Sequence, residues 1–196
     1  CFSVLGIARD VAALTGAVLK DATVTPVSAT VDDVHPVELL EPEGCPRFVG
    51  RVIRGIDSTA RSPVWMTERL RRSGLRAISP VVDITNYVML ELGQPLHAYD
   101  SARLQGAIRP RLAKSGEKVA LLDEKVVELN ADTMIITDDS GPIGIAGIMG
   151  GLSTAVSDDT KDVFFEAAFW PQEFMAGRAR AYGMHTDASM RFERGV

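Results

Sequence analysis

Residues 81–100, VVDITNYVMLELGQPLHAYD, constrain the fold more than any other stretch, because they encode a helix with a fixed end. Asp83 is a helix-capping residue type, and Ile84, Val88 and Leu92 fall on one face at helical spacing, with Met89 beside them. Gly93 can take the positive φ at which helices stop, and Pro95 forbids continuation. The chain then leaves through a stiff exit, Gln94-Pro95-Leu96-His97, which delivers His97 on backbone restrained by proline. Thr85 and Asn86 add two small polar groups with apolar neighbours. By itself the segment is also read as a buried helix beside a satisfied core histidine.

A second informative run is DVFFEAAFW, residues 162–170. It reads as a strand so apolar that both faces are buried, yet it carries Glu166. A buried carboxylate costs free energy unless it is paired, so Glu166 either meets an arginine or waits for a donor on a ligand. Around these two runs the pattern is mixed. Residues 3–16 read as an amphipathic helix capped by Ser3, with Ile7, Val11 and Leu14 inward and Gly16 at its end. Residues 20–33 read as a connector with an extended piece, and 35–40 and 47–56 as two strands around the turn at 41–44. Ser62-Pro63 starts a helix that ends at Gly74, with Arg69, Arg71 and Arg72 in its basic half and Arg76 just beyond. Residues 107–112, 118–122, 125–129 and 133–137 read as a small antiparallel meander, followed by a glycine-rich strand over 142–151. A helix over 171–183 and an aperiodic polar segment over 184–196 complete the chain. The resulting fold class is α+β, antiparallel strands with segregated helices.

Composition bounds the function. The 196 residues are 46% hydrophobic and 24% charged, ordinary for a globular chain that buries a full core, and no run reaches transmembrane length. The net charge of −5 argues against a general nucleic-acid coat, though not against RNA meeting one local basic surface. Two cysteines, Cys1 and Cys45, form no disulfide framework or metal spacing and fit a reducing, cytoplasmic compartment. His35, His97 and His185 are far apart, so no metal site is expected. PIGIAGIMGG is neither a phosphate loop nor a dinucleotide fingerprint, and no serine sits in a nucleophile elbow. The ends, Cys1-Phe2-Ser3 and Arg194-Gly195-Val196, do not look like natural termini; the expectation is a single module, residues 1–196, with two intertwined subdomains, excised from a longer protein.

Three stretches together carry a resemblance: SPVVDITNYVMLELGQPLHAYD, then GIMGG followed by FFEAAFW, then MHTDASMRFERGV. They resemble the beta subunit of bacterial phenylalanyl-tRNA synthetases, in its central third-and-fourth domain pair. The helix SVLGIARDVAALTG and the strand CPRFVGRVIRGID are similar too, so the likeness runs along nearly the whole chain. The resemblance implies two sheets packed with a helical layer, a β/β/α arrangement, and an editing activity that hydrolyses tyrosine mischarged on tRNA(Phe). It implies His97 as the catalytic group, for holding or deprotonating a water. It implies a substrate pocket of Glu166, Thr186, Ala188, Gly150, Arg76, Thr85, Asn86 and Pro95. Editing needs no cofactor in this picture; ATP and Mg serve the synthetic site of the parent enzyme, in its alpha subunit, and the parent is an alpha2beta2 assembly. The chemistry fits the task. A pocket for phenylalanine rejects an added hydroxyl only about a hundredfold, whereas a site that hydrogen-bonds the hydroxyl rejects the analogue lacking it by roughly 10⁴–10⁵. Glu166 is the expected reader of that hydroxyl, and His97 the expected group of near-neutral pKa. A ribose hydroxyl of the tRNA is the other candidate for activating the water. The competing readings are a non-catalytic RNA-binding or structural module of the synthetase and a generic small-molecule hydrolase.

Overall fold

The apolar run around Glu166 forms the middle strand of a three-stranded antiparallel sheet. In a computed structural model that describes residues 2–20 and 24–195, the elements in order are α1 Val4–Thr15, β1 Arg47–Ile53, α2 Val64–Arg72, α3 Pro80–Leu92, β2 His97–Asp100, β3 Arg109–Leu112, β4 Lys118–Ala120, β5 Val126–Glu128, β6 Met134–Asp138, β7 Gly141–Ile145, β8 Met149–Gly150, β9 Val163–Phe169, α4 Gln172–Met175, α5 Arg178–Ala181 and α6 Asp187–Phe192. A 3-10 turn, Ser101–Arg103, follows β2. The first sheet has the order β1-β9-β2, the second β3-β6-β7-β8, and β4-β5 is a separate hairpin.

Register explains how the layers meet. Gly50, Glu166 and His97 are opposite one another across β1, β9 and β2, as are Val52, Phe164 and Tyr99. Side chains alternate along a strand, so these residues share one face. That face packs with Ile135, Ile136, Ile143 and Ile145 of the second sheet in one core, which Trp170, Met175 and Phe192 close. On the opposite face Ala98, Val163 and Phe165 meet Val81 of α3. The order is therefore sheet, sheet, helix: an α+β fold with antiparallel sheets and a helical layer. Strand β9 contributes to both interfaces, fully buried at Phe164, Glu166 and Ala168 on the side of the second sheet and half-buried at Phe165 and Ala167 on the side of α3.

Several local expectations change. Helix α3 starts at Pro80, with Ser79 as its cap residue, so Asp83 lies inside it. Asp83 instead accepts from the Ile78 amide (2.8 Å) and the Ser62 hydroxyl (2.6 Å), tying α3 to the start of α2. The buried face of α3 is Val81 and Met89, while Ile84 and Leu92 are each 41% exposed. Gly93 does end α3, at φ 92. Ser62 does not cap α2, because its hydroxyl is used on Asp83. Helix α1 has the expected caps, with Ser3 accepting from the Gly6 amide (2.9 Å) and Gly16 in the left-handed region. Its apolar face, however, points outward: Ile7, Val11 and Leu14 are exposed, and α1 buries no residue.

Residues 35–40 do not form a hairpin with β1. They run parallel to the start of β3 through one bridge, Val37 to Ile108, and bonds between Ile108 and Pro36 and between Glu38 and Ile108. The meander is broken, because β4-β5 leaves the sheet and β3 pairs directly with β6. The glycine-rich run folds back as the hairpin β7-β8 rather than one strand. The helix over 171–183 is split by Gly177, at φ 76, into α4 and α5. The segment read as aperiodic contains α6, whose start is a reciprocal cap between Thr186 and Ser189. Of the connector, residues 21–23 lie outside the described residues; 24–33 are exposed and irregular.

Candidate functional site

The helix stop delivers His97 as expected. After Gly93 the Gln94 amide donates to Pro95 O (2.9 Å) and to Ala168 O (3.2 Å), so the exit is clamped onto β9 before His97 enters β2. Opposite His97, across the gap between the sheets, lies Gly150 of β8. A Cβ at Gly150 would stand 2.7 Å from His97 Nε2 and overlap the ring, so only glycine permits this approach. Both line a cavity of about 80 Å³ whose walls also include Pro95, Tyr99, Met149 and Ala188. Ala188 reaches it from α6, which is placed by Thr186: its hydroxyl accepts from the Ser189 amide and donates to Ile148 O, each at 3.0 Å.

Glu166 does not line this cavity; it lies behind it, joined to the lining residue Tyr99. The Tyr99 hydroxyl donates to Glu166 Oε2 in a buried hydrogen bond, with the two residues 1% and 7% exposed. The Tyr99 ring stands edge-on to His97, with centroids 4.5 Å apart and planes at 87°. Electrostatics follow from burial. Desolvation pushes the Glu166 carboxyl up to about 7, against the Tyr99 hydrogen bond, which lowers it. Desolvation lowers His97 to about 4, so the expected near-neutral histidine is corrected: the group that titrates near pH 7 is Glu166. His97 Nε2 is buried and makes no hydrogen bond. The neutral ring carries one lone pair and one N–H, which makes it a weak base able to accept or donate one hydrogen bond.

Pro95, His97, Gly150 and Ala188 thus meet at one cavity, with Glu166 one hydrogen bond away. Thr186 stands behind it, its hydroxyl engaged in the α6 cap. Arg76, Thr85 and Asn86 do not line it: Arg76 is exposed between α2 and α3, and the Thr85 hydroxyl donates to Val82 O (2.8 Å) within α3. Sequence reasoning missed Tyr99. Its signal was the alternation in His97-Ala98-Tyr99, which puts the phenol on the face of His97. Among the described residues, no cluster of three or more His, Cys, Asp or Glu side chains is placed to hold a metal ion. No helix of the described residues is long and apolar enough to cross a membrane.

The chain as a whole has known relatives. Residues 44–196 match the family model described as the B3/4 domain. Over all 196 residues the chain is 55% identical to a phenylalanine–tRNA ligase beta subunit of Pseudomonas syringae pv. syringae, 52% to one of Hahella chejuensis and 50% to one of Vibrio vulnificus. In each case it covers 25% of the relative, so the chain spans about a quarter of the length of the proteins it matches. A crystal structure of an N-terminal fragment of the phenylalanyl-tRNA synthetase beta subunit from Pyrococcus horikoshii has the same fold. That likeness has a TM-score of 0.55 at 16% identity and covers 88% of this chain and 52% of the fragment. The chain belongs to the B3/4 domain family, and its whole length is similar to one portion of bacterial phenylalanine–tRNA ligase beta subunits.

Proposed function

We propose that this chain is the editing module of a phenylalanine–tRNA ligase beta subunit and hydrolyses the ester that joins tyrosine to tRNA(Phe). The observation that carries the reading is the pairing of His97 and Glu166 on adjacent strands, side chains on one face, beside a cavity that Gly150 keeps open. The roles divide by chemistry. Glu166 uses Oε2 on Tyr99, and among the described residues Oε1 accepts no hydrogen bond, which leaves an acceptor for the hydroxyl of a tyrosyl group. A phenylalanyl group filling the site would cut that oxygen off from water and leave it unpaired, at a cost of about 1–3 kcal/mol or more for a charged group. His97 orients the attacking water through the unprotonated nitrogen of its neutral ring. The water oxygen adds to the ester carbonyl, the bond to the ribose oxygen breaks, and that oxygen leaves with a proton. An aminoacyl ester is labile enough for positioning to supply much of the rate, which suits a histidine lowered to about 4. In this reading the partners are the 3′ end of tRNA(Phe) carrying tyrosine and the alpha subunit of an alpha2beta2 synthetase, in the cytoplasm.

The test is single-turnover deacylation of tyrosyl- and phenylalanyl-tRNA(Phe) by the complete synthetase. Glu166→Ala is expected to slow tyrosyl-tRNA hydrolysis and shrink its preference over phenylalanyl-tRNA. His97→Ala is expected to slow hydrolysis with little change in the ratio. If neither change alters tyrosyl-tRNA hydrolysis, the editing reading is wrong.

A further inference from the structure

Glu166 reads a hydroxyl only if something holds it in place and keeps it ionised inside an apolar strand. The neighbours on its own sheet do little of this. Its partner on β1 is Gly50, without a side chain, and its partner on β2 is His97, whose low pKa leaves it uncharged. No cation pairs with Glu166 among the described residues. Its one hydrogen-bond donor is the Tyr99 hydroxyl, on Oε2. Tyr99 is itself fixed: it is 1% exposed, edge-on to His97 at 4.5 Å and 6.2 Å from the Phe164 ring.

We propose, resting on the editing reading above, that Tyr99 is the positioning residue of this site: by donating to Glu166 Oε2 it aims Oε1 at the substrate hydroxyl and holds the side chain in its carboxylate form, while its ring sets the plane of His97. The logic is that of a buried acceptor. An ionised carboxylate accepts a phenolic hydrogen bond roughly twice as strongly as a neutral one, and it is penalised more when a phenylalanyl ring leaves it unpaired. Discrimination therefore belongs to the charged form, and a donor on Oε2 favours that form over the protonated one. The other titratable groups around the pair do not supply this effect. Cys45, ahead of β1, is pushed up to about 12 by burial and by Glu166 itself, and stays neutral. Tyr99 is itself raised in pKa, by burial first and then by Glu166 and Asp138 of β6, so the phenol remains a donor. His35, against Phe164, is lowered by burial.

The experiment is the pH profile of the tyrosyl- to phenylalanyl-tRNA deacylation ratio, measured in single turnovers by the complete synthetase with the uncatalysed rate subtracted. Wild type is expected to gain discrimination as pH rises through about 7. Tyr99→Phe keeps the ring and removes the donor. The ratio at neutral pH should fall about tenfold and the midpoint of the profile should move up by about one to two pH units. A merely structural role would lower both rates without moving the midpoint. In a Glu166→Gln background Tyr99→Phe should change the ratio little, because no charge remains to be held. Site-specific 3-fluorotyrosine at position 99 keeps the fold and strengthens the donor, so the midpoint should move down; it decides the matter if Tyr99→Phe folds poorly. An unmoved midpoint in both variants, with Glu166→Gln still abolishing the ratio, overturns the role of Tyr99 alone. A wild type with no tyrosyl-tRNA preference removes the editing reading and this proposal with it.

Discussion

Replacing Glu166 by glutamine should uncover a pH dependence of stability that the native pair conceals. Burial raises the Glu166 carboxyl from 4.5 to about 7. Its contribution to stability is thus fully present below pH 4.5 and is lost as pH rises to about 7. Burial lowers His97 from 6.5 to about 4, so its contribution is present above pH 6.5 and is lost as pH falls to about 4. At about 1.36 kcal/mol per pH unit, each gap is worth roughly 3 kcal/mol. Between pH 4.5 and 6.5 the two slopes have opposite sign and cancel. Urea denaturation of wild type, Glu166→Gln and His97→Gln from pH 4 to 7.5 reads this directly, since differences between variants remove every shared group. The stability of Glu166→Gln relative to wild type should rise by roughly 3 kcal/mol from pH 4.5 to 7. That of His97→Gln relative to wild type should fall by a similar amount from pH 4 to 6.5. Flat differences for both variants would refute the reasoning, because neither group could then be desolvated on folding.

Two further outcomes are expected. Gly150→Ala drives a methyl group into the His97 ring, which Tyr99 backs; it should cost about 1–3 kcal/mol in thermal or urea denaturation and abolish tyrosyl-tRNA deacylation by the complete synthetase. Ile7→Gln with Val11→Gln should leave the stability of this chain within about 0.5 kcal/mol per site, because both side chains of α1 are already exposed; a larger loss in denaturation would mean that α1 packs inward after all.

What was legible in the sequence was whatever a local rule decides. Gly93 and Pro95 end a helix wherever it lies, and Ser3 and Gly16 cap α1 regardless of its partners. The run around Glu166 is the expected strand, but only the face of Phe164, Glu166 and Ala168 is fully buried; on the other face Phe165 and Ala167 are half-buried and Phe169 is exposed. What failed depended on partners distant in the chain. Nothing local tells residues 35–40 to pair with Ile108 rather than β1. Helical periodicity identified the apolar stripe of α1 but not whether anything covers it. Asp83 looked like a cap by residue type, although Ser79-Pro80, which does start α3, carries the same signature as Ser62-Pro63. At the site, His97 and Glu166 were visible by residue type, but their pKa values were not. Both are set by desolvation, which exists only once β2, β9 and the second sheet have met. Tyr99 stayed hidden among the core aromatics because a phenol in an apolar strand shows no sign of its hydroxyl's partner until register puts Glu166 beside it.

The size of the cavity bears on how a substrate is admitted. About 80 Å³ is less than the roughly 150 Å³ closed cavity known to take a benzene ring, so in the editing reading an aromatic side chain fills this open cavity and extends beyond it or displaces a wall. The two walls differ in what holds them. On one side His97 and Tyr99 lie in a sheet strand paired along its length to β9, and Tyr99 is bonded to Glu166. Moving them breaks backbone bonds and exposes a buried carboxylate. On the other side the cavity meets the turn after β7 and the short helix α6, which carries Ala188 and Phe192. The Thr186 hydroxyl bonds that helix to Ile148 O, so the turn and α6 are coupled where they meet. Met149, an unbranched side chain between them, can repack at little cost. The wall that reads and positions is thus the strand β2 with Glu166 behind it, and the facing wall, the turn after β7 with α6, sets the volume. A site that discriminates by one hydroxyl needs that division, because a reader that shifted with each ligand would lose the geometry on which the difference between tyrosine and phenylalanine depends.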